Sequence, residues 1–87
     1  MTLDKILDAL SQHQQRATYG AVADLLGANP RNLMMSKPKN RRHSWIVSKA
    51  TGLPTGYRES DMDPGLFSRK EILVTASELH SWLERLG

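Results

Sequence analysis

His43-Ser44 is the first pair in this 87-residue chain that could do chemistry, as base and nucleophile. The pair falls in a segment of strand character, where adjacent side chains point to opposite faces, so the two cannot easily act together. Hydrogen-bonding duty is therefore the expected role of His43. His13, His43 and His80 lie on separate elements with no i, i+4 pair, which leaves a metal site without its usual spacing. Asp61 and Asp63 lack the further ligands of a calcium-binding loop. The chain contains no cysteine, which excludes a disulfide scaffold, a thiolate zinc site and a thiolate nucleophile. These residues predict no catalytic group, no metal and no cofactor. They turn the question from reaction to binding.

The residues that could bind are cations. The formal charge of +3 conceals an asymmetry: from Leu25 to Arg58 there is no Asp or Glu, while Arg31, Lys37, Lys39, Arg41, Arg42, Lys49 and Arg58 contribute +7. The remainder carries five basic and nine acidic residues, a balance of −4. A basic middle third in an otherwise acidic chain attracts a polyanion through that third. Lys37, Lys39, Arg41 and Arg42 alternate with Ser, Pro, Asn and His, a polar strip suited to tracking phosphates.

The elements that must position this strip follow from spacing. Thr2 caps a first helix whose Leu3, Ile6, Leu7 and Leu10 share one face. Thr18 caps a second, with Tyr19, Val22, Ala23 and Leu26 on its stripe and Gly27 as its left-handed stop. Asn29-Pro30 opens a short third helix that ends before Pro38, so the segment reads as helix-turn-helix. Arg31 is a cation in the first turn of that helix, where it opposes the helix dipole and favours an external anion. Of Met34-Met35, one methionine should pack inward and the other lie at the surface.

Beyond Pro38 the period changes, and 44–48 and 71–74 have strand character. Leu66-Phe67 should return to the core. Thr75 and Glu78 form a capping box for a last helix striped by Leu79, Trp82, Leu83 and Leu86. The predicted helices are 2–13, 18–26, 30–36 and 75–86. The expected fold is α+β and mostly helical: a small winged-helix-like (helix-turn-helix) domain over 1–87 with a short two-stranded sheet. No apolar run approaches the ~18–20 residues of a membrane span and no signal-peptide core is present, so a cytoplasmic protein with no membrane association is expected.

Ala17-Thr18-Tyr19-Gly20-Ala21-Val22-Ala23-Asp24-Leu25-Leu26-Gly27, followed by Pro30-Arg31, resembles the entry of the DNA-binding domain of alkylguanine-DNA alkyltransferases and of their silent relatives, the alkyltransferase-like proteins. His43-Ser44-Trp45-Ile46-Val47 and Thr51-Gly52-Leu53-Pro54-Thr55-Gly56-Tyr57 resemble the family's following strand and its Gly-Tyr ending, so the match covers about 3–57. The resemblance implies a helix-turn-helix that docks in the minor groove of DNA and turns a damaged guanine into a pocket, with Tyr19 against a phosphate. The family's Pro-Cys-His-Arg falls on Arg41-Arg42-His43-Ser44, so Arg42 stands at the position of the reactive cysteine. Met34 stands where the second arginine of Pro-Arg-x-x-Arg would fill the base stack. The interval from Tyr19 to Arg42 is also several residues shorter than in the family. Scaffold and DNA-facing surface carry over; alkyl transfer does not.

The expected function is non-catalytic nucleic-acid binding, with duplex DNA as partner and Tyr19, Arg31, Lys37, Lys39, Arg41, Arg42 and Lys49 as contact residues. Tyr19 equally suits packing on its helix stripe with the hydroxyl at the rim. Two alternatives stay open. One is a protein-interaction adaptor that sets Met34, Met35, Tyr57 and the basic strip against an acidic partner. The other is an alkyltransferase-like sensor of DNA damage.

Overall fold

Thr2 opens the chain's first helix, its hydroxyl accepting a hydrogen bond from the Lys5 amide, and α1 runs Leu3–His13. Its buried face is Ile6, Leu7 and Leu10, as the spacing predicts. The computed structural model describes residues 2–86. Gln14 ends α1 in the left-handed region at φ 51°, and the Gln15 amide returns to the Leu10 carbonyl. That closure turns the chain abruptly into β1, Arg16–Thr18.

Thr18 then caps α2, Tyr19–Leu26, by accepting from the Ala21 amide. Gly27 stops it at φ 68°, with the Gly27 and Ala28 amides bonded to Asp24 and Ala23 carbonyls. Such a paired closure satisfies carbonyls that a helix end otherwise leaves open. β2, Ile46–Val47, and β3, Ile72–Leu73, flank β1, and α3, Ala76–Leu86, closes the chain.

The sheet corrects the expected two strands to three, in the order β2-β1-β3. β1 pairs in parallel on both sides, Ala17 opposite Ile46 and Leu73, Thr18 opposite Val47, and Arg16 opposite Ile72. The predicted strands at 44–48 and 71–74 both form, shortened, but each pairs with β1 and not with the other. Ser44 and Trp45 belong instead to a 3-10 turn, Arg42–Trp45.

The predicted helix 30–36 is also corrected. Asn29 performs its capping chemistry, Oδ1 accepting from the Arg31 amide at 2.9 Å. Beyond it the chain makes successive i→i+3 turns, Asn32 to Asn29, Met35 to Asn32 and Lys37 to Met34. A helix this short gains too few bonds and too little burial to offset nucleation. Only Leu33 of this segment is buried, Met34 packs partly on the core, and Met35 is exposed.

The core lies between α1, α2, the sheet and α3, with Trp45, Ile6, Leu7, Leu10, Ile46, Leu66, Leu79 and Val22 fully buried. Side chains of this size contribute ~1.5–3 kcal/mol each when fully removed from water. Leu66 returns to the core as expected, whereas Phe67 remains 62% exposed. Thr75 caps α3 through the Glu78 amide, and its hydroxyl donates to Glu78 Oε1. Arg16 is buried beneath Phe67, its guanidinium carbon 5.0 Å from the ring centroid. It donates from Nη1 to the Gly52 carbonyl and from Nη2 to the Arg69 carbonyl, both at 3.0 Å. One side chain thus ties two loops to the central strand of the sheet. Burial lowers its pKa from the ordinary value, but a guanidinium stays protonated in proteins.

Candidate nucleic-acid interface

The turn segment after α2, the first turn of that helix and the chain around Tyr57 face a common space. Between them is an open cleft of about 480 Å³, walled by Tyr19, Pro30, Met34, Met35, Thr55 and Tyr57, with Arg31, Lys37 and Lys39 also lining it. Of the seven expected contact residues, Tyr19, Arg31, Lys37 and Lys39 thus meet at one site. Tyr19 sits where its two roles join: its ring packs partly on the core, and its hydroxyl reaches the cleft and accepts from the Thr55 amide at 2.9 Å. Tyr57 is half-buried, and burial together with the neighbouring Tyr19 and Asp61 pushes its phenol up to about 12.

Arg41, Arg42 and Lys49 lie outside this lining. Arg41 precedes the 3-10 turn and is exposed, and Lys49 is exposed in the turn after β2. Arg42 points to α1. Its Nη2 lies 2.6 Å and its Nε 3.1 Å from Asp8 Oδ1, and Nη2 also donates to the Asp4 carbonyl. Lys37 bonds Asp4 Oδ1 at 2.8 Å. The Lys37 contact and the charges nearby hold the Asp4 carboxyl below its usual range. Among the described residues, Arg31, Lys39, Arg41 and Lys49 make no ion pair.

His43 is buried and anchors the strip from beneath. Its Nδ1 lies 2.7 Å from the Pro38 carbonyl and its Nε2 3.0 Å from Arg42 Nη1. The carbonyl requires the proton on Nδ1, which leaves Nε2 to accept from arginine. Ser44 Oγ donates to the Arg41 carbonyl and accepts from the Asp63 amide. Both side chains therefore do structural hydrogen bonding, as expected of His43. Among the described residues no three of His, Asp and Glu gather as potential metal ligands, and no helix is long and apolar enough to cross a membrane.

Tyr19, the cations Arg31, Lys37 and Lys39, and the Met34, Met35, Tyr57 group are all legible in the sequence and meet at the cleft. Pro30 and Thr55 join the cleft through folding contacts that no local pattern announces. Asp4 and Asp8 carry a usable signal, since an i, i+4 spacing puts them on one side of α1. Their partners, 33 and 34 positions along the chain, carry none. No family model matches the sequence, and no curated protein or solved structure matches it either.

Proposed function

We propose that this protein binds duplex DNA without catalysing a reaction, using the basic rim of the cleft and the exposed strip beside it. The observation that carries this reading is that Arg31 and Lys39 line one cleft with no ion pair among the described residues, and Arg41, likewise without one, is exposed on the same segment. Phosphates are the ligands that several uncompensated cations along one edge suit best, and each contact releases condensed counterions. The winged-helix-like reading belongs here as well. α2 takes the place of the first helix of a helix-turn-helix, and the 29–37 turns take the place of the second, presenting Arg31 at their start. Amide shift mapping during titration with a short duplex tests it at two salt concentrations. Shifts should concentrate at Tyr19, Arg31, Lys39 and Arg41 and fade at high salt. Shifts at the far face, or none, would refute the reading.

A second reading, an alkyltransferase-like sensor of altered bases, is favoured by the cleft itself. Its volume lies within the ~300–1,000 Å³ of small-molecule sites, and its walls are aromatic and apolar. Against it, Arg42, at the position of the family's nucleophile, is turned away to Asp8. Duplex binding without a captured base is therefore the preferred conclusion.

A further inference from the structure

Two of the strip's cations already hold anions. Lys37 Nζ lies 2.8 Å from Asp4 Oδ1, and Arg42 Nη2 lies 2.6 Å from Asp8 Oδ1 and Nη1 4.0 Å from Asp4 Oδ1. The carboxylates stand one helical turn apart on α1, with side chains 62% and 67% exposed. They border the acid-free stretch on one side, while Arg31, Lys39 and Arg41 have no ion pair among the described residues. A polyanion sliding toward α1 meets exposed carboxylates and the cations they already neutralise, whereas one approaching the cleft meets open cations. Repulsion of this kind sets orientation and suppresses wrong modes of binding.

We propose that Asp4 and Asp8 are specificity-determining residues of the duplex interface, holding Lys37 and Arg42 as internal substitutes for phosphate and marking α1 as an edge the nucleic-acid backbone does not cross. The inference rests on the duplex-binding reading above. A purely structural role for the same ion pairs predicts the opposite result, because loosening the strip would weaken binding. The strip has other anchors. Without the Asp8 charge, Arg42 keeps its bonds to the Asp4 carbonyl and to His43 Nε2, and His43 keeps Pro38. Neutralising Asp8 therefore frees a charge without freeing the segment.

The test compares Asp8→Asn with Glu84→Gln, a change of equal charge on α3, by anisotropy of a labelled duplex over a salt series. Asp8→Asn should tighten binding about 5–10-fold near ~0.1 M salt and steepen the log–log slope by ~0.9, the signature of one added phosphate contact. Asp4→Asn with Asp8→Asn should steepen it further. Adding Arg42→Gln to Asp8→Asn should remove the gain, and Glu84→Gln, an exposed charge on α3 whose contact is with His80 and not with the strip, should change affinity less than about 2-fold. Binding by Asp8→Asn that is equal to or weaker than that of Glu84→Gln, while the unsubstituted protein binds, overturns this inference alone. Absence of duplex binding by every variant overturns the duplex reading and this inference with it.

Discussion

The Tyr19 hydroxyl accepts a 2.9 Å hydrogen bond from the Thr55 amide, joining the first turn of α2 to the loop that leads into Tyr57. This bond fixes one wall of the cleft. Tyr19→Phe keeps the ring's packing and leaves the Thr55 amide to solvent, since that contact is exposed. It should lower stability by ~0.5–1 kcal/mol. Denaturant midpoints measure the loss, and hydrogen exchange at Thr55 should quicken in the variant.

Arg16 gives a larger effect. Arg16→Leu leaves the Gly52 and Arg69 carbonyls without their donor and removes the cation beneath Phe67. The expected cost is ~2–3 kcal/mol in urea unfolding, from the loss of charge-assisted bonds. Arg16→Lys should restore little, because one ammonium lacks the planar fork that serves two carbonyls. Gly52→Ala should fail in the same direction, since Gly52 has φ +70° and an added Cβ would sit 3.0 Å from Arg16 Nη1.

Tyr57 supplies a pH dependence. Its folded pKa is raised to about 12 from an ordinary 10.0. A raised folded value means the native state binds the proton more tightly than the unfolded chain. The associated stability is therefore complete below pH 10 and is lost as pH rises toward about 12. Spectroscopic titration of phenol ionisation should show a late step that Tyr57→Phe removes. The same substitution should flatten the fall of thermal stability across that alkaline window.

The helices were legible because their signals are local. Thr2, Thr18 and Thr75 cap α1, α2 and α3 as their side-chain chemistry requires, and Gly27 closes α2. β1 was not legible. Arg16-Ala17-Thr18 is too short for alternation to register, and it becomes a strand because Ile46–Val47 and Ile72–Leu73 both reach it. Asn29-Pro30 looked like a helix start and chemically is a capped turn, but its continuation buries too little to propagate. At the site the cations were readable as a run. Their division between those open to a ligand and those bonded to α1 depends on contacts far apart in sequence.

The preferred reading also constrains DNA geometry. With Met34 lining the cleft at the position where the alkyltransferase resemblance would put a stack-filling arginine, a fluorescent base analogue within the duplex should stay quenched when the protein binds. Strong brightening at a modified guanine would favour the damage-sensor reading.

On the duplex-binding proposal, the open cations at and beside the cleft contact phosphates. The most direct test of that proposal is the salt dependence of duplex affinity for the protein and for an Arg31→Ala, Lys39→Ala, Arg41→Ala variant. Loss of these contacts should make the log–log slope shallower by ~0.9 per cation, about 2.7 in all, since each released counterion adds that much to the slope. Stability should barely move, because exposed charges contribute ~0–1 kcal/mol each. An unchanged slope and unchanged affinity in a folded triple variant would contradict the account.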